Sequence, residues 1–321
     1  MSFVTETIDW LLKGDPSIRW QVLRDLLEEP PEIYEKERAK VKAGGWGGRL
    51  LSRQDADGKW GGGIYSPKWI STTYTLLLLR QFGLPQNNPQ AQNGCKHFLL
   101  KGVFRDGGIN LFKSIDYSET CVNGMILTLL SYFRFPDERV HAVAEFLLKE
   151  QMADGGWNCQ RVRGATHASF HTTISVLEGM YEYGQAYPKQ ALTIKKAVRR
   201  AHEFLLVHHL YKSHRTGKVS DPAMTRMYFP PRWHYDFLRV LDYFQSIRAD
   251  YDERMMDAIE LLKAKQQPNG RWPAYRRWPG RVFFEIEKAG VDSRWNTLRA
   301  LRVLKWWEEI RSSNEVKEPT V

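Results

Sequence analysis

Cysteine is scarce. Cys95, Cys121 and Cys159 are the only three in 321 residues, an odd count without the spacing of a disulfide framework. Long apolar runs are also missing. The run at 76–79 falls far short of the ~20 apolar residues that span a bilayer, so no transmembrane segment is expected. The opening stretch, MSFVTETIDWLLKGD, has neither the basic start nor the long apolar core of a secretory leader. These absences make a reducing cytoplasm the simplest address. Basic blocks are absent too. The 47 Lys and Arg outnumber the 37 Asp and Glu, for a formal charge of +10, but they are dispersed and not gathered into a nucleic-acid tail. The Gly-Gly doublets follow helical segments instead of strands, which argues against a nucleotide-binding loop. The basic, Trp-rich stretch 271–281 has no recognised nucleic-acid fold around it, so no nucleic-acid partner is expected. A dispersed positive surface suits a phosphorylated small molecule or a peripheral contact with an anionic membrane.

What is present is repetition. The segments LLSRQDADGKW, FLLKEQMADGGW and LLKAKQQPNGRW end at Trp60, Trp157 and Trp272. Each reads as an apolar helical turn, a Gln, an Asp-Gly or Asn-Gly turn, and a Trp. Two degenerate copies begin at His97 and Glu203, and the Leu pairs at 51, 99, 147, 205 and 261 set a period of roughly 50 residues. Gly is expected to end each helix in a left-handed cap, with Gln and Trp covering the helix end. The device concerns architecture and says nothing of chemistry.

After each turn comes a second helix, apolar almost all round, at 71–81, 118–133, 169–183, 233–244 and 293–307. The segment 16–27 makes a sixth, since its IRWQVLRDLL echoes SRWNTLRALRVL near the C-terminus. Helices apolar on all sides are buried, whereas those at 137–151 and 253–265 alternate charge with apolar residues and belong outside. Six inner and six outer helices predict an all-α (α/α)6 toroid, because neither ring buries its apolar face alone. No linker divides residues 1–311, read here as one domain, and 312–321 reads as a polar, frayed tail. The inner helices run in one direction, so their N-termini gather at one mouth, where helix-end N–H groups favour an anion. Long loops at 109–117, 158–166, 220–232 and 274–292 feed that mouth. They form either the cationic rim of an apolar ligand funnel or simply a packed lid.

The Gln…Gly…Trp repeats at 54–60, 151–157 and 266–272 resemble those of squalene and oxidosqualene cyclases, in the terpenoid cyclase and protein prenyltransferase superfamily. The Asp-x-Asp-Asp acid of those cyclases is absent. The nearest string, Asp250-Tyr251-Asp252-Glu253, lies between an inner and an outer helix at the other end of the ring. Residues 155–180, with Phe170-His171-Thr172, are similar to the zinc-histidine region of prenyltransferase β subunits, and Glu119-Thr120-Cys121 stands where that family has Asp-x-Cys. The resemblance implies Zn2+ on Glu119, Cys121 and His171, with Cys159 or His167 nearby as a fourth or supporting group. It also implies Lys113 in the place of a diphosphate-binding Arg. Zinc accepts this donor set and keeps a position for substrate, and a zinc-bound Cys121 becomes a nucleophile.

Three function classes follow. One is a cyclase- or transferase-like enzyme for an isoprenoid or other amphipathic anion, with Cys121, His171 and Asp236 as candidate catalytic groups. Its wall would be Trp69, Tyr74, Trp233, His234, Tyr235 and Trp295, whose ring faces stabilise a cation. Another is a non-catalytic toroid holding a lipid or peptide in the same cavity. The third is glycan processing by paired carboxylates drawn from Asp116, Asp236, Glu285 and Asp292. Asp236, at the head of a buried helix, is also read as a cap or a partner of Arg239.

Overall fold

The computed structural model describes residues 3–317, with side chains described for 5–315. Thirteen α-helices account for the fold: α1 (Phe3–Leu12), α2 (Pro16–Gln21), α3 (Pro31–Arg38), α4 (Gly45–Leu51), α5 (Thr72–Phe82), α6 (Pro89–Lys96), α7 (Thr120–Tyr132), α8 (Arg139–Lys149), α9 (Phe170–Ala186), α10 (Ala191–Val207), α11 (Phe237–Ser246), α12 (Met256–Ala264) and α13 (Arg294–Lys317). Helix α2 continues through a π-helical turn, Val22–Leu26. Among the described residues there is no strand, only isolated bridges such as Gln54 with Trp60. The chain is all-α. Helices α2, α5, α7, α9, α11 and α13 form the inner ring of the toroid, and α1, α4, α6, α8, α10 and α12 lie outside it, with the short α3 beside α4.

The repeats are joints between outer and inner helices. The indole N–H of Trp60 donates to Leu50 O at 2.7 Å, that of Trp157 to Leu147 O at 2.7 Å, and that of Trp272 to Leu262 O at 2.8 Å. Their backbone N–H groups donate to Thr72, Thr173 and Thr297 Oγ1 at 3.1, 3.0 and 3.0 Å. Each Trp thus bonds a carbonyl in the last turn of an outer helix and fastens the start of the next inner one. Gln54 and Gln151 bridge the turn glycine's carbonyl to the following outer helix, through Gln90 O and Ala197 O. One expectation needs correction. The glycine does not cap the helix; Gly58, at φ +89°, closes a separate turn onto Asp55 O, well beyond Leu51 where α4 ends.

Helices α7 and α9 approach through glycine. A Cβ on Gly124 would stand 2.8 Å from Ser175 O, and one on Gly179 would stand 2.6 Å from Gly124 O. Ion pairs join the inner helices elsewhere: Arg80 to Glu182 at 2.7 Å, Arg239 to Glu178 at 2.8 Å, and Arg302 to Asp242 at 2.6 Å. Residues 312–317, expected as a frayed tail, continue α13. Arg311 braces those turns at helical spacing, pairing with Glu308 at 2.8 Å and Glu315 at 3.2 Å. The rest of the expected tail, 318–321, lies outside the described residues.

Candidate functional site

The N-terminal mouth of the inner ring is packed shut. His234 is stacked between Trp278, at 3.5 Å and 7°, and Trp233, at 3.7 Å and 24°. Trp69 crosses Tyr74 edge to face at 4.7 Å and donates its indole N–H to Pro279 O at 2.9 Å. Tyr235 is buried, its hydroxyl donating to Leu210 O. Of the residues expected to wall a funnel, Trp69, Tyr74, Trp233, His234 and Tyr235 therefore belong to a lid. Burial presses His234 down to about 3, with His171 and Arg239 adding to the effect.

The implied zinc donors lie under this lid. Glu119 is the N-cap residue of α7, as its place two residues before Cys121 requires, and burial raises its carboxyl against the pull of Arg163 and Lys68. Its neighbour Cys121 draws Cys159 below the usual thiol range against the effect of burial, while Cys121 itself is pushed well above it. His171 faces another way: its Nδ1 accepts the Tyr235 backbone N–H at 2.8 Å, and its ring meets Trp233 edge-on at 5.4 Å. Among the described residues no three His, Cys, Asp or Glu side chains converge as a metal site. This donor set does not fit zinc. Lys113 is exposed on its loop.

Asp236 caps α11. Its Oδ1 accepts from Arg239 N at 2.8 Å and its Oδ2 from Tyr228 N at 3.3 Å. Asp116, Glu285 and Asp292 are each held by an arginine, namely Arg105 at 2.7 Å, Arg277 at 3.8 Å and Arg271 at 2.9 Å. None of the four lines the central cavity.

That cavity opens at the opposite end, among the C-terminal halves of the inner helices, with a volume of about 560 Å³. Along α13 its wall runs from Trp295 through Arg299, Arg302 and Trp306 to Glu309, a depth of about 21 Å at 1.5 Å per residue. The floor is aromatic: Phe229 lies flat on Trp295 at 4.0 Å and 11°. Above it stands a belt of ions, not an apolar wall. Helix α9 contributes Glu178 and Glu182, α11 contributes Arg239 and Asp242, and α13 contributes Arg299 and Arg302. The pairs fall at i,i+3 or i,i+4 and so share a helix face. Asp242 receives both Arg302, at 2.6 Å, and Arg299, at 3.2 Å; Asp25 receives Arg302 at 3.1 Å and Arg24 at 2.5 Å. Burial alone would raise these carboxyls, yet Arg302 holds Asp25 below the usual range, Arg239 does so for Glu178, and Arg302 with Arg299 for Asp242. These three carboxyls stay ionised.

Several donors in this well have no protein acceptor. Trp295 and Trp306 are almost wholly buried, and their indole N–H groups have no protein acceptor. Arg299 commits Nε to Asp242 and Nη1 to Tyr228 O, leaving Nη2 unspent, and Arg80 spends only Nε and Nη2, both on Glu182. The site that sequence reasoning missed carried one signal: charged residues at helical spacing on segments otherwise apolar. Of the residues expected to touch substrate, only Trp295 lines the well.

Fold and cavity together define a ring of helical hairpins around a blind, charged well. No protein-family model matches the chain, and no curated protein matches it. Among solved structures it is similar to a protein from Actinoplanes, with 16% identity over 95% of this chain and 98% of that one, at a TM-score of 0.49. It is also similar to the type II terpene cyclase MstE from Scytonema in its apo form, with 18% identity, 97% and 100% coverage and a TM-score of 0.46. A variant of that cyclase in complex with geranylgeranyl dihydroxybenzoate, its substrate, gives 18% identity, 93% and 88% coverage and a TM-score of 0.45. No helix among the described residues is long and apolar enough to cross a membrane.

Proposed function

We propose that this chain binds a small amphipathic anion in the central well, its acidic group among the arginines and its flat or apolar end against Trp295 and Phe229. The unmet N–H groups of Trp295, Trp306, Arg299 and Arg80 carry this reading. Unspent N–H groups in a buried site call for a ligand rich in acceptors, because an unmet buried donor costs about 1–3 kcal/mol. The volume falls within the ~300–1,000 Å³ of small-molecule sites. Guanidinium groups favour carboxylate or phosphate through paired, planar hydrogen bonds.

The same features weigh against two of the sequence-based alternatives. Nine basic residues line the well against six acidic ones, an excess of positive charge that disfavours a carbocation. Protonating an olefin or a glycosidic oxygen needs a carboxyl that keeps its proton, and Asp25, Glu178 and Asp242 are held in the opposite state. The ligand is therefore read as an anion recognised whole, with a short apolar portion in place of a long prenyl chain.

Titration calorimetry with pyrophosphate, an aromatic monocarboxylate and a long-chain prenyl diphosphate tests this. At least one of the two compact anions is expected to saturate one site, and Arg299→Met to weaken it by about tenfold or more, the value of a lost hydrogen bond to a charged group. Asp242 keeps Arg302 in that variant. Binding of the prenyl diphosphate alone, or binding indifferent to Arg299→Met and Trp306→Phe, rejects the reading.

A further inference from the structure

One joint of the ring is built without tryptophan. In the degenerate repeat that begins at Glu203, a carbonyl in the last turn of α10 is met by histidine instead: His208 Nδ1 donates to Phe204 O at 2.6 Å. A carbonyl only accepts, so the proton of the neutral ring sits on Nδ1 and the lone pair on Nε2. His209 and Leu210 then take left-handed backbone, at φ +43° and +66°. The chain turns back, and His214 Nδ1 stands 2.9 Å from that Nε2. The His208 ring is half-buried against Phe204, at 4.6 Å, and Phe170, at 5.3 Å, whereas His214 is exposed on the following turn. We propose that His208 Nε2 and His214 Nδ1 form a two-imidazole metal site for a divalent ion of square-planar or octahedral habit, of the copper(II) or nickel(II) class, with water in its other positions.

The spacing selects the ion. With nitrogen about 2.05 Å from the metal, cis nitrogens of a square-planar or octahedral ion stand about 2.9 Å apart, and those of a tetrahedral ion about 3.3 Å. The observed 2.9 Å matches the first. The Phe204 carbonyl on Nδ1 is the partner that a metal-bound imidazole commonly has, fixing its tautomer and its plane. Uptake needs one rearrangement. The proton on His214 Nδ1 moves to its own Nε2, which has no protein partner, and that exposed ring swings until both lone pairs converge on the ion. No proton leaves the pair. Neither histidine lines the charged well, so this site stands or falls apart from anion binding.

The test is nickel(II) titrated into untagged full-length protein by calorimetry, with copper(II) electron paramagnetic resonance to count nitrogen donors. One equivalent of nickel is expected per chain, and two imidazole nitrogens on copper. His208→Gln and His214→Gln should each weaken nickel binding by at least the tenfold that loss of even a supporting partner costs. His214→Gln alters an exposed ring, so its loss of binding is not a loss of fold. His97→Gln, at an exposed histidine bonded to Asp57 O, should bind as before. Cobalt(II) should give the weak visible bands of an octahedral ion. The absence of saturable nickel binding overturns the proposal, as does binding that survives both single variants. So does an intense tetrahedral cobalt spectrum, which would reject the spacing argument.

Discussion

Arg302, on the last inner helix, reaches Asp25 at the end of the first: Nη1 stands 3.1 Å from Oδ2, and the same nitrogen donates to Gln21 Oε1 at 2.9 Å. Its other edge grips Asp242 on α11 through Nε at 2.6 Å and Nη2 at 2.7 Å. One guanidinium thus joins three inner helices and closes the ring between chain positions 277 residues apart.

Arg302→Met should therefore destabilise the fold by about 3–5 kcal/mol, the usual cost of leaving buried carboxylates short of a partner. Urea unfolding measures it. The double variant Arg302→Met with Asp25→Asn is expected to recover part of the loss, because one stranded charge is then gone.

Stability should decline in two stages on acidification. Burial holds His202 down to about 4 and His234 to about 3, from 6.5 in the unfolded chain. A base whose folded pKa is depressed contributes stability that is full above the unfolded value and drains away as the pH falls below it. The first loss thus begins near pH 6.5. The second comes with Asp25, Glu178 and Asp242, whose arginine-stabilised charge is lost as pH drops below the ordinary carboxylate range. Thermal midpoints from pH 8 to 3 check both stages, and His202→Gln should flatten the first.

Gly124→Ala is expected to cost about 1–3 kcal/mol, as overpacking does, because the new methyl meets the α9 backbone and no flexible side chain can yield. Gly62→Ala is the contrast. A Cβ there meets nothing within 4 Å, so only the φ of +71° is penalised.

Trp157→Phe removes the donor to Leu147 O and should cost about 1–3 kcal/mol. Trp157→Ala also opens a cavity, for about 3–5 kcal/mol. Equal losses in the two variants would mean that the hydrogen bond, and not ring packing, holds the joint.

The ring was legible because its joints are local. Gln151, Gly155 and Trp157 lie within seven residues, and Trp157 ties that turn to the helix end beside it through Leu147 O. Which mouth stays open was not legible. That depends on how far residues such as Trp233, His234 and Trp278 fold inward, a tertiary outcome that loop length does not encode. The belt was half visible. Arg239 and Asp242 stand out on an apolar helix, but their partners Glu178 and Arg302 are 61 and 60 residues away, and no periodicity links them. The implied zinc donors show the same gap between local and tertiary signals: residue types match at their positions, while the His171 ring turns toward Tyr235.

Ring closure by α13 has a consequence for synthesis. Until that helix has left the ribosome, the chain is an open arc, with Asp25 at one end and Asp242 at the other lacking their shared cation. Productive folding is thereby postponed until α13 is available, and a chain halted before α13 should behave as a substrate for quality control, not as a smaller ring.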